Sequence, residues 1–166
     1  MRIQDYTAIS SAAVAVSAAV YAAYQARIQH RREDFELARS LHADLTTGAA
    51  AEARDLLGTV VFTESPPKGK AAADIRGAYF TLLWCFERIE GGRRSLADRR
   101  QSKTNPAVKF LDDLIGWHVD FWRDDFGKVR DWLAQQPDGP VSDSASRAAF
   151  DRLCSVFPTS GSGPGV

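Results

Sequence analysis

Residues 8–26 carry no charge, and the residues that follow read Arg27-Ile28-Gln29-His30-Arg31-Arg32. No other feature of the chain restricts its possible folds as strongly. The uncharged run holds nine Ala, three Val, three Ser, two Tyr, one Ile and one Gln. A helix of that length spans about 28 Å, close to the roughly 30 Å of a bilayer's hydrocarbon core. Tyr21 and Tyr24 stand at its far end, where aromatic side chains favour the interface. The segment is therefore expected to be a single transmembrane helix. Arg27, Arg31 and Arg32 follow it, whereas Arg2 and Asp5 precede it. The basic flank puts the C-terminal bulk in the cytoplasm and the short N-terminus outside.

Two other readings use the same residues. Val20-Tyr21-Ala22 resembles a signal-peptide cleavage site, but the n-region is poor and a basic cluster directly after the apolar stretch opposes export. An Ala-rich helix also suits the interior of a soluble oligomer or coiled coil, because Ala is the best helix former and the stretch is only mildly apolar. Within the run, Ser11, Ala15, Ala19 and Ala23 recur every fourth residue. Such a small-residue stripe lets two helices approach closely, so it is the candidate face for self-association of the anchor.

The remaining chain has helical periodicity almost throughout and no strand alternation. The expected fold is all-α: an N-terminal single transmembrane helix continuing into a small antiparallel helical bundle. The expected divisions are an anchor over 1–26, a cytoplasmic bundle over 27–157 and a disordered Ser/Gly/Pro tail over 158–166. The first helix runs on to about Leu45, with Ile28, Phe35, Ala38, Leu41 and Leu45 as a stripe. Thr46, Thr47 and Gly48 offer a stop and a new N-cap. A second helix reaches about Phe62, before Ser65-Pro66-Pro67. A third spans about 71–90 with Ile75, Tyr79, Leu82, Phe86 and Ile89 inward, and Gly91-Gly92 is expected to end it. Pro106 fits the first turn of a fourth helix reaching about 135. A fifth covers about 143–157.

The fourth helix carries two adjacent apolar stripes. One contains Leu111, Ile115, His118, Trp122, Phe126 and Val129; the other contains Phe110, Leu114, Trp117, Phe121 and Trp132. Together they cover roughly 200° of the helix, against the ~100° of an ordinary surface helix, so this helix is expected at the centre of the bundle. On the third helix, Phe80 and Trp84 lie opposite the main stripe. They are the candidate partner-facing pair, since aromatic residues anchor interfaces. Arg93, Arg94, Arg99 and Arg100 in a basic segment over 91–105 are the second candidate binding group. If successive helices alternate in direction, Lys68 and Lys70 fall nearer the membrane than these arginines.

Lys plus Arg and Asp plus Glu number 21 each, which removes any global attraction to nucleic acid. Cys85 and Cys154 stand in helical patterns without the spacing of a zinc site, as expected of free thiols in a reducing compartment. No Glu-x-x-His pair, phosphate loop or nucleophile elbow occurs, so neither cofactor, metal nor small molecule is implied. His118 is the one candidate for acid–base chemistry, in the alternative reading of a small helical enzyme. The leading expectation is a non-catalytic, membrane-tethered interaction module whose partners are the membrane and another protein or a second copy of itself.

Overall fold

The computed structural model describes residues 3–63, 71–99 and 105–157, with side chains from residue 14 onward. The described chain is all-helical, with α1 Ile3–Thr46, α2 Gly48–Thr63, α3 Ala72–Asp98, α4 Pro106–Ala134 and α5 Ser144–Val156. It divides into two compact units, Met1–Glu36 and Leu37–Val166. Lys68, Lys70, Arg100 and the 158–166 tail lie outside the described residues.

The first unit is a stretch of α1. Every side chain from 14 to 27 is exposed, including Val14, Val16, Val20, Tyr21 and Tyr24 at 60–70%. Among the described residues, no helix is long and apolar enough to cross a membrane. The expected transmembrane helix is therefore unsupported by the structure. The physical reason is composition, because the Ala and Ser that dominate the run contribute little to insertion.

The second unit is a helical bundle formed by the end of α1 with α2–α5. Its core is aromatic. Phe126 sits at 5.5 Å from Tyr79, 6.0 Å from Phe86, 5.2 Å from Trp122 and 4.9 Å from Phe150, mostly edge to face. Such pairs contribute about 0.5–1.5 kcal/mol beyond the area they bury. Ala38, Leu41 and Leu45 of α1 and Leu57 of α2 close the core on one side, Ala149 and Leu153 of α5 on the other. Both α3 and α4 pack against α2, α5 and each other. The buried stripe of α3 is the broader one, extending from Ile75 through Ile89 to Leu96. The bundle is thus centred on α3 as much as on α4.

Antiparallel packing holds for α3 with α4 and for α4 with α5, pinned by Arg93–Asp112 and Arg130–Asp143. It fails for α1 with α2. Leu41 packs at Gly92 and Asp44 pairs with Arg88 at 2.9 Å. Farther along, Ala49 and Ala50 share a cleft with Thr81 and Trp84. Advancing from 41 to 50 therefore moves backwards along α3, so α2 continues in the direction of the end of α1. The expected reversal does not occur. Thr46 and Thr47 donate their hydroxyls back to His42 and Ala43 carbonyls, at 2.9 and 2.7 Å, instead of capping α2. Gly48, at φ +58°, makes the offset between the two helices.

Gly91-Gly92 does not stop α3, which continues to Asp98. A Cβ on Gly92 would stand 2.5 Å from a methyl carbon of Leu41, whereas a Cβ on Gly91 would meet nothing within 4 Å. The second glycine is thus a close-approach residue between two helices. The start of α4 matches expectation more closely. Asn105 caps it, accepting from Ala107 N–H at 3.1 Å and donating to Leu96 O at 2.8 Å, and Pro106 follows at the first turn.

Candidate interaction surfaces

The two residues singled out on α3 differ in exposure. Trp84 is 59% exposed and Phe80 is half-buried. Their rings lie 5.5 Å apart, and Phe80 also meets Tyr79 edge-on at 5.6 Å. Trp84 forms one wall of an open cleft of about 540 Å³, with Asp44, Gly48, Ala50, Cys85 and Arg88 around it. Polar demand in the cleft is met from within, since Arg88 already pairs with Asp44.

The arginines at the end of α3 are largely engaged. Arg93 forms a two-pronged pair with Asp112 at 2.7 and 2.8 Å, both side chains being about one-fifth exposed. This geometry clamps α3 to α4 and is among the stronger ion-pair forms. Arg94 reaches Glu90 at 2.6 Å, and Arg152 of α5 shares the same carboxylate at 3.2 Å. Arg99 is exposed at the C-cap of α3. Because α1 enters this unit at Leu37 and meets Gly92 at Leu41, these arginines lie at the chain-entry end.

On α1, Ala15, Ala19 and Ala23 are exposed. The side chain of Ser11 lies outside the described residues.

His118 is half-buried, with its ring 4.9 Å from Trp117 and 6.4 Å from His42. Its Nδ1 has no hydrogen-bond partner. Burial, then the nearby charge of Arg54 and of His42, pushes its pKa below the usual imidazole value. A catalytic histidine is ordinarily oriented by a carboxylate or carbonyl at its second nitrogen. Here the surroundings are aromatic and cationic. The Cys85 thiol is pushed up to about 11 by burial, and burial raises Cys154 as well. Both are protonated at neutral pH, the unreactive form. Among the described residues, no group of three or more His, Cys, Asp or Glu is placed to hold a metal ion.

Two features escaped the sequence reading. The first is a buried polar network. Tyr79 donates its hydroxyl to Asp143 Oδ2, and Arg130 approaches Asp143 Oδ1 at 3.3 Å. Burial, then this hydrogen bond, pushes the Tyr79 pKa far up. No local spacing signals a contact between residues 64 positions apart. The second is an exposed aromatic cluster. Trp117 is 68% and Phe62 74% exposed. Phe121 lies between them, stacked on Trp117 at 5.6 Å and 6.0 Å from Phe62. The spacing of Trp117 and Phe121 was visible, but their stripe reads equally well as core. The buried arc of α4 lies instead on Leu111, Ile115, Val119, Trp122, Phe126 and Val129.

No family model matches the chain, and neither a curated protein nor a solved structure is similar to it.

Proposed function

We propose that this protein is a non-catalytic interaction module held at a membrane by its N-terminal helix, with the bundle on the cytoplasmic side. One observation carries the reading: the uncharged 8–26 run belongs to a continuous helix whose described apolar side chains are all open to solvent. Val16 and Val20 share one face of the helix and Val14 lies on the opposite one, so one small contact cannot bury all three. A lipid environment buries every side at once. Arg27, Arg31 and Arg32 directly after the run supply the cytoplasmic charge bias. The stripe of Ser11, Ala15, Ala19 and Ala23 gives such a helix a face on which to pair within the bilayer.

The non-catalytic part of the reading rests on the chemistry of the available side chains. Both thiols are protonated, and His118 lacks an orienting acceptor. A bundle pinned by Arg93–Asp112 and filled with stacked rings is suited to presenting surfaces.

The test is a pair of substitutions, Val16→Arg with Val20→Arg. Two charges in the middle of an inserted helix cost about 2.5–3.5 kcal/mol each on the insertion scale. The variant should move from the membrane to the soluble fraction, and a C-terminal reporter on the wild-type chain should be active only in the cytoplasm. Equal fractionation of variant and wild type, or a reporter active outside, rejects the reading.

A further inference from the structure

The exposed ring cluster on α2 and α4 is bordered on α4 by three carboxylates. Asp113, Asp120 and Asp124 of α4 are exposed and border Trp117 and Phe121 on the solvent side. On a helix these carboxylates span about 16 Å. Asp113 and Asp120 have local partners in Lys109 and Arg123, both on α4 itself. The surface is therefore an aromatic strip, Phe62–Phe121–Trp117, with an acidic margin. A complementary occupant is a helix carrying an aromatic or aliphatic row flanked by basic groups.

The same chain contains such a helix. Along α1, Tyr24, Arg27, Ile28 and Arg31 stand at i, i+3, i+4 and i+7, which places them on one face. Tyr24 is 60% exposed, and Arg27, Arg31 and Arg32 are exposed. This is the anchor spacing by which an amphipathic helix lies in an apolar groove. We infer that the 24–32 segment of one copy docks on the Phe62–Trp117–Phe121 strip of a second copy, reciprocally. Tyr24 and Ile28 then cover the rings, and Arg27 and Arg31 face Asp120 and Asp124. Reciprocal contacts of this kind close a two-fold dimer, in which the same pair of surfaces is used twice. A second copy's acidic strip is a poor occupant, because like charges would oppose one another.

The experiment uses the full chain in detergent micelles, measured by light scattering coupled to size exclusion. Wild type should dimerise. Asp120→Arg with Asp124→Arg should weaken the dimer at least tenfold, as should Arg27→Asp with Arg31→Asp. Combining the four substitutions should restore most of the affinity, because the charges are exchanged between the two surfaces. A photocrosslinker at position 117 should link one copy to residues 24–32 of the other. A wild-type monomer at all concentrations, a four-fold variant no tighter than either double variant, or crosslinks that map only to other segments, to lipid or to another protein each overturns the inference. Failure of membrane attachment leaves this contact intact, so the two readings fail separately.

Discussion

Replacing Tyr79 with Phe removes one oxygen atom from the most deeply buried polar contact of the bundle. Tyr79 is fully buried, and the Asp143 side chain that accepts its hydroxyl is 1% exposed. After the change, the carboxylate keeps Arg130 at 3.3 Å, a half-exposed partner at the long end of useful geometry. A hydrogen bond to a charged group contributes about 1.5–3 kcal/mol, and no methylene is lost, so no cavity adds to the cost. Tyr79→Phe should therefore destabilise by about 1.5–3 kcal/mol. With a urea slope near 2 kcal/mol/M, the midpoint should fall by roughly 1 M at unchanged slope. The assay is urea unfolding of the full chain in detergent, followed by tryptophan fluorescence. In an Asp143→Asn background the same change should cost only about 0.5–1.5 kcal/mol, because the acceptor is neutral. The difference is the coupling energy of the pair. A loss below about 0.5 kcal/mol in the wild-type background would refute the argument that this hydroxyl holds a buried charge.

Adjacent glycines on α3 should respond with opposite sign. Gly91→Ala meets open space and should stabilise by up to about 1 kcal/mol through helix propensity. Gly92→Val drives side-chain atoms into buried Leu41 and should cost about 1–3 kcal/mol. Thermal unfolding of the two variants decides whether the helices touch there. The pH dependence has two arms. The lowered folded pKa of His118 means the unfolded chain takes up its proton first, so this contribution to stability is lost as pH falls below about 6.5. The raised folded pKa of Cys85 means the unfolded thiol ionises first, so stability falls as pH rises from 9.0 towards about 11. His118→Gln should flatten the acid arm and Cys85→Ala the alkaline arm in urea titrations across pH. An unchanged slope in either variant refutes that assignment.

Period and punctuation carried much of the fold in readable form. Ile75, Tyr79, Leu82, Phe86 and Ile89 recur at helical steps and are all buried. Pro106 marks a real boundary at the start of α4. Gly91-Gly92 misleads because glycine has two uses, ending a helix or admitting a neighbour, and only the tertiary contact with Leu41 distinguishes them. Thr46-Thr47 misleads in a similar way, since a hydroxyl can cap the next helix or bond back to the last one. Direction was illegible for the same reason: the turn at Gly48 is short, yet α2 does not reverse. Trp117 shows the limit of an amphipathic count. A stripe of large rings is apolar whether another helix of the chain covers it or solvent does.

The central claim is that the 8–26 helix resides in lipid. Alkaline carbonate extraction of membranes bearing the full-length chain, followed by detergent extraction, addresses it directly. Peripheral attachment through Arg27, Arg31 and Arg32 is electrostatic and should be lost to high salt. An inserted helix should remain in the pellet through salt and carbonate and be released only by detergent. Recovery of the full-length protein in the salt or carbonate supernatant would contradict the account.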